Sequence, residues 1–94
     1  MAGPHDMRAV DVRVDGEVQG VGYRFGALRR ADELELSGWV SNEANGQVTA
    51  HVEGLGHRID KMLEWMREGT KWSHVSRVDV EDVAVQGIEG FTLR

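Results

Sequence analysis

The sequence predicts an α+β fold in which two helices cover one face of a mainly antiparallel sheet. Several short segments alternate apolar and polar residues, which is typical of half-buried strands. Two other segments carry apolar residues at helical spacing. These segments follow one another in the order β-α-β-β-α-β, with a short strand added at the end. A chain of 94 residues, 40% of them hydrophobic, suffices for one domain with one core.

The first strand is predicted from Val10, where three valines alternate with charged residues as far as Gly16. Residues 1–7 include the only proline and show no apolar pattern, so we expect a flexible tail there and a folded domain over residues 8–94. A glycine-rich loop separates this strand from the first helix, which should end near Leu34 because Ser37-Gly38 interrupts it. Its apolar side is predicted to contain Phe25, Leu28 and Ala31.

The next part of the chain is predicted to form a hairpin of two strands, followed by the second helix. Trp39 begins a strand that runs to about Asn42, and Asn45-Gly46 is a pair that tolerates positive φ at both positions of a two-residue turn. A third strand alternates from Val48 to Gly54. The second helix is predicted from an apolar stripe at positions 55, 59, 62, 63 and 66, with Gly69 just past its end.

The last strand begins near Val75, and its phase slips at Val83 and Val85, which indicates a bulge or a break. Phe91-Thr92-Leu93 forms a short final strand. The complete order is that of the split βαβ, or ferredoxin-like, two-layer sandwich. In this fold the usual strand order is 4-1-3-2, so the first and second strands are not neighbours.

Composition excludes several classes of function. The net charge is −5, which argues against a nucleic-acid backbone or an anionic membrane as the partner. The absence of cysteine excludes disulfides, zinc–thiolate sites and a cysteine nucleophile. No apolar run approaches the ~18–20 residues that span a bilayer, so we expect a soluble cytoplasmic protein. Residues 1–30 nevertheless contain five arginines against four carboxylates, so the acidity lies in residues 31–94.

The glycine-rich loop allows two interpretations. It is either an irregular connection or a backbone that must approach a ligand closely. A helix N-terminus has unbonded N–H groups and a positive dipole, and Gly20 and Gly22 would let further loop amides turn inward toward an anion. Arg24 would add a permanently charged fork suited to phosphate. From the residues alone, the interpretation of Arg24 as an ordinary surface arginine at the start of a helix is equally good.

Two motifs then resemble the signatures of the acylphosphatase family. Residues 14–24 read VDGEVQGVGYR, and residues 38–42 read GWVSN, followed by Gly46, Val48 and Gly54 at the expected spacings. The resemblance covers about residues 8–94. It implies the ferredoxin-like fold and hydrolysis of a small acyl phosphate to a carboxylate and inorganic phosphate. It also implies that no cofactor, metal ion or covalent enzyme intermediate is needed.

The resemblance assigns roles to particular residues. Arg24 corresponds to the arginine of the family that binds phosphate, and Asn42 to the asparagine that orients the attacking water. The main-chain amides that hold the phosphate would come from Gln19, Gly20, Val21, Gly22 and Tyr23. A phosphate oxygen of the substrate would help to deprotonate the water. Whether Asn42 reaches the loop across the third strand depends on the three-dimensional structure.

The chain departs from the family pattern at four places. Tyr23 replaces a commoner phenylalanine, and Glu17 puts an acid in the phosphate loop. Glu35 stands where a glycine is usual, which would cost about 1 kcal/mol if its φ is positive. Residues 69–75 replace a Gly-Pro-rich turn and belong to neither motif.

Three other functions are alternatives to an acylphosphatase for a domain with this order of elements or this loop. A carbamoyl-phosphate-handling module of larger hydrogenase-maturation proteins shares the loop, but this chain ends at Arg94 without their further domains, which favours a free-standing enzyme. A monomer is the expectation for a chain of this size. An inactive phosphate-binding relative is also possible. An RNA-recognition domain would need aromatic residues on its central strands, where this chain has valine and alanine. The four histidines lack metal-ligand spacing, and the acidic residues 79–82 fit a solvated strand edge.

Overall fold

The computed structural model describes residue 3 and residues 5–94. Over these residues the elements are β1 (Met7–Glu17), α1 (Tyr23–Glu33), β2 (Ser37–Asn42), β3 (Val48–Leu55), α2 (Gly56–Glu68), β4 (His74–Val83) and β5 (Phe91–Leu93). This confirms the predicted order. The expected tail includes residues 1, 2 and 4, which lie outside the described residues. Neither of these helices is long and apolar enough to cross a membrane.

The strands form one sheet in the order β4-β1-β3-β2-β5. Strand β1 pairs antiparallel with both β3 and β4, whereas β5 pairs parallel with β2. The valines of β1 alternate as predicted and face the core, where Val12 lies opposite Ala50 of β3. The confirmed order separates β1 from β2 by one strand, so any site shared by these two strands must be assembled at their ends.

Helix α1 presents a different face to the sheet from the one predicted. Its buried residues are Tyr23, Ala27 and Ala31, which recur at intervals of four. Leu28 is half-buried against the core, but Phe25 is 66% exposed, so its prediction as a core residue is wrong. The physical reason is that Tyr23 enters the core and its hydroxyl donates to the carbonyl of Met66 at 2.8 Å, which fixes the rotation of the helix.

The hairpin between β2 and β3 is confirmed, with a longer turn than expected. The N–H of Glu43 donates to the carbonyl of Gln47 at 2.8 Å, so three residues lie between them. Gly46 has φ 92°, while Asn45 does not have a positive φ. This is a three-residue loop with a left-handed glycine rather than a two-residue turn.

The irregularity of β4 also lies elsewhere than predicted. Asp15 pairs with Arg77 and Gly16 with Val75, which leaves Ser76 as the extra residue of a bulge. The predicted phase slip at Val83 corresponds to the end of the strand.

Helix α1 ends in a Schellman motif with an unusual residue at its left-handed position. Leu36 N–H donates to the carbonyl of Ala31 at 2.8 Å, and Glu35 N–H to that of Asp32 at 3.1 Å. Glu35 has φ 55°, so the condition for the expected strain is met. A glycine would adopt this conformation without its Cβ crowding the following carbonyl.

Replacing Glu35 with glycine should therefore raise the free energy of unfolding by about 1 kcal/mol, as measured by urea denaturation. Glu35 also lies 3.6 Å from Arg58 in an exposed ion pair. Glu35→Gln is the matched control, since it removes the charge and keeps the positive φ. An equal gain in both variants would show that the charge, not the backbone, carries the effect.

The face of the sheet opposite the two helices, here called the open face, carries an ionisable pair on β3 that is buried beneath the segment between β4 and β5. Glu53 and His51 are each 1% exposed, and their side chains meet at 2.7 Å. The other ring nitrogen of His51 lies 2.7 Å from the carboxylate of Asp11. Glu53 also accepts main-chain N–H groups from Gln86, Gly87 and Ile88 at 2.6–3.2 Å. It therefore holds the connection between β4 and β5, which lie at opposite edges of the sheet.

The environment moves the pKa values of this pair in opposite directions. Burial alone would raise the pKa of Glu53, but hydrogen bonds from His51 and the three main-chain amides outweigh it and hold the pKa below the ordinary 4.5. Burial alone would lower the pKa of His51, but its hydrogen bonds to Glu53 and Asp11 outweigh it and raise the pKa above the ordinary 6.5. The charged pair is therefore favoured in the folded state.

The stability lost in Glu53→Gln should depend on pH in a bell shape. The contribution of Glu53 is complete above pH 4.5 and is lost as the pH falls below that value. The contribution of His51 is complete below pH 6.5 and is lost as the pH rises above it. Urea denaturation of both proteins from pH 3.5 to 8.5 should show the largest difference between these two values, whereas a difference independent of pH would contradict the assignment.

Candidate active site

The loop between β1 and α1 ends at a glycine that starts the helix. Gly20 has φ 72° and Gly22 has φ 77°, both left-handed. The first helical hydrogen bond runs from Gly26 N–H to the carbonyl of Gly22 at 2.9 Å. The N–H groups of Tyr23, Arg24 and Phe25 precede it and have no partner within the helix. Gly22 has no side chain to cap them, and the helix dipole is positive here, so this end favours an anion.

Arg24 is the second residue of α1, and its side chain is half-buried. Its Nη1 donates to the main-chain oxygen of Arg94, just after β5, at 2.8 Å. This contact fixes one edge of the guanidinium group and leaves its other N–H groups for a ligand. The contact of Arg94 could not be predicted from the sequence, because its approach to Arg24 depends on the parallel pairing of β5 with β2.

A cavity of about 340 Å³ brings this helix end together with Asn42. The residues that line it are Val18, Gly20, Gly22, Tyr23, Arg24, Phe25 and Asn42. Asn42 therefore does lie beside the loop, at the end of β2, although β3 separates β2 from β1. Its side-chain oxygen Oδ1 is buried and has no hydrogen-bond partner among the residues that the structure describes. An acceptor of this kind is suited to holding a water molecule at the cavity.

The side chain of Gln19 connects the loop to the turn that follows Asn42. Its Nε2 donates to the carbonyl of Glu43 at 2.7 Å and to that of Gln47 at 2.9 Å. Gln19 is not among the lining residues of the cavity, so its side chain acts on the position of the loop. This bridge explains how two strands that are not neighbours present their ends to one site.

Two contacts from α2 and the turn after it hold the other side of the loop. Thr70 Oγ1 donates to the carbonyl of Val21 at 3.0 Å. The turn at 69–75 belongs to neither sequence motif, but in space it supports the first one. Tyr23 is fixed by its hydrogen bond to Met66, and burial raises the pKa of its phenol above 10, which keeps it a neutral donor. Glu17 is exposed at the end of β1 and does not line the cavity.

A second cavity, of about 300 Å³, lies on the open face of the sheet. Its charged lining residues are Asp11, Arg13, Asp79 and Glu81. Three carboxylates against one arginine disfavour an anionic ligand there. Compared with this cavity, the one at the start of α1 has the chemistry for phosphate.

The family comparison agrees with this geometry. The model of the family described as Acylphosphatase matches residues 10–93. This chain belongs to the acylphosphatase family. Acylphosphatases are hydrolases that cleave the carboxyl–phosphate bond of acyl phosphates, so the predicted family, enzyme class and general activity are confirmed.

Individual relatives resemble the chain over nearly its whole length. A curated acylphosphatase from Nocardioides sp. is 48% identical over 90 residues, which cover 95% of this chain and 91% of that protein. The solved structure of an acylphosphatase from Coxiella burnetii has a TM-score of 0.91 at 35% identity, covering 95% of this chain and 94% of the other. These similarities also confirm the ferredoxin-like fold.

A similar domain occurs within a much larger protein. Full-length HypF, solved in a phosphate- and nucleotide-bound form, matches with a TM-score of 0.89 at 26% identity. The match covers 95% of this chain but only 12% of that one. The acylphosphatase fold is thus found both alone and as one part of a longer chain.

Proposed function

We propose that Arg24 and the main-chain amides of residues 19–23 bind the phosphoryl group of an acyl phosphate, and that Asn42 positions the water that attacks it. The observation that supports this proposal is the shared cavity, which is lined by the first three residues of α1, Arg24 among them, and by Asn42, whose buried Oδ1 has no hydrogen-bond partner among the described residues. The N–H groups of α1 supply fixed dipoles, Arg24 supplies a permanent positive charge, and Asn42 supplies a hydrogen-bond acceptor.

In the proposed reaction the water oxygen forms a bond to phosphorus, and the bond from phosphorus to the carboxyl oxygen breaks. The leaving carboxylate takes the electron pair of that bond, and the proton of the water passes to a phosphate oxygen. Arg24 and the loop amides stabilise charge on the phosphoryl oxygens as the transition state forms. Asn42 holds the water in line with the breaking bond, which lowers the entropic part of the barrier.

This division of roles needs no further group. Arg24 supplies the charge stabilisation that a metal ion would otherwise supply, and the carboxylate is a good leaving group that needs no enzymatic acid. We therefore propose a metal- and cofactor-independent hydrolase that acts as a cytoplasmic monomer and needs neither nucleic acid nor a membrane.

Arg24→Ala should lower kcat/KM for benzoyl phosphate by about 10²–10³-fold, because it removes the charge that faces the phosphoryl oxygens. It should also weaken competitive inhibition by inorganic phosphate. Arg29→Ala is the matched control, since Arg29 is an exposed arginine of the same helix outside the cavity. All assays contain EDTA; wild-type activity that is abolished by the chelator would contradict the metal-independent reaction.

Asn42→Ala should lower kcat by about 10²-fold or more while changing the inhibition constant of inorganic phosphate by less than about threefold. The reason is that Asn42 is proposed to contact the water rather than the phosphoryl group. Steady-state kinetics with benzoyl phosphate, together with phosphate inhibition, separate the two effects. Full activity in Asn42→Ala would eliminate the water-positioning role.

A second candidate is a domain that binds an acyl or carbamoyl phosphate without hydrolysing it; the HypF structure to which the chain is similar is itself a phosphate-bound form. The same cavity would serve, with Arg24 and the loop amides holding the phosphate. The two candidates differ in turnover. A wild-type protein that binds phosphate but does not hydrolyse benzoyl phosphate would favour the binding module.

A further inference from the structure

Phe25 is a residue of the cavity that the phosphate chemistry does not use. It follows Arg24 in the first turn of α1, and it is 66% exposed. It nevertheless lines the same cavity as Arg24 and Asn42. A large aromatic side chain that is exposed beside a ligand site can stabilise a bound ligand, because the contact removes its apolar surface from water.

The other residues around the cavity cannot offer such a surface. Val18 and Tyr23 are each 1% exposed and belong to the core. Gly20 and Gly22 have no side chains, and the remaining two lining residues, Arg24 and Asn42, are polar. Among the described lining residues, Phe25 therefore supplies the exposed apolar side-chain surface of this site.

The geometry of in-line displacement indicates what this surface would contact. The attacking water and the leaving carboxyl oxygen lie on opposite sides of the phosphorus atom. When the phosphoryl group lies against the loop amides and the water lies beside Asn42, the acyl group must extend away from Asn42. The exposed ring of Phe25 lies at this cavity, next to the arginine that holds the phosphate.

We propose that Phe25 is a specificity-determining residue that binds the acyl group, so that the enzyme prefers acyl phosphates with an aromatic or long apolar acyl group over acetyl phosphate. This inference rests on the proposed function. An aromatic acyl group would stack on the ring or meet its edge, and a long alkyl chain would bury apolar surface against it. The methyl group of acetyl phosphate is too small to gain much from either contact.

The test compares kcat/KM for benzoyl phosphate and for acetyl phosphate in the full chain. Phe25→Ala should lower the value for benzoyl phosphate about tenfold and leave that for acetyl phosphate within about twofold. Phe25→Leu should fall between, because it keeps part of the apolar surface. The inhibition constant of inorganic phosphate should stay the same in both variants, which a merely structural effect on the loop would not allow. Alanine suits an exposed helix position, so folding should be retained.

Trp72→Ala is the matched control, since Trp72 is an aromatic residue that is 71% exposed but does not line the cavity. It should leave the ratio of the two kcat/KM values unchanged. Equal losses on both substrates in Phe25→Ala, or no loss on either, would overturn the role of Phe25 while leaving the proposed function intact. A wild-type protein that hydrolyses neither substrate would overturn the proposed function and, with it, this inference.

Discussion

The main-chain N–H groups at the start of α1 are the constraint on which the site depends. Every helix begins with N–H groups that lack partners in the helix, and most helices satisfy them with a side chain. Here Gly22 adopts a left-handed conformation and has no side chain to offer. The donors are therefore available to an anion, and Thr70 and Gln19 hold the loop in place around it. The proposed catalytic groups, Arg24 and Asn42, add to a site that the backbone already defines.

The distribution of charge reconciles an acidic protein with an anionic substrate. The net charge of −5 is a sum over the whole surface, and it does not record main-chain dipoles.

On the open face of the sheet, Glu53 and His51 form a buried pair that fixes the connection to β5. The main-chain oxygen of Arg94, just beyond β5, then accepts a hydrogen bond from Arg24. The ion pair in the middle of the sheet is thus connected, through the segment that it holds and through β5, to the arginine that we propose as the phosphate ligand.

Much of this structure could be predicted locally, because the alternation of valines and the helical stripe of α2 each reflect a single face turned toward the core. Phe25 could not be placed in this way, since the rotation of α1 depends on the hydrogen bond of Tyr23 to Met66, 43 positions away in the sequence. The motif residues Arg24 and Asn42 were found from their resemblance to a family. The support from Thr70 and Arg94 could not be found in this way, because each contact joins a side chain to a main-chain oxygen that only the tertiary fold brings close: Thr70 Oγ1 to Val21, and Arg24 Nη1 to Arg94.

The most direct test of the phosphate site is to titrate the ¹⁵N-labelled protein with inorganic phosphate and follow its main-chain and arginine side-chain resonances. The largest shifts should fall on the amides of residues 19–25 and on the Nε of Arg24, with smaller ones at Asn42. The open face of the sheet, including Asp11 and Trp39 in its cavity, should be unaffected. Saturable shifts centred on that open face, with the loop unchanged, would contradict the account.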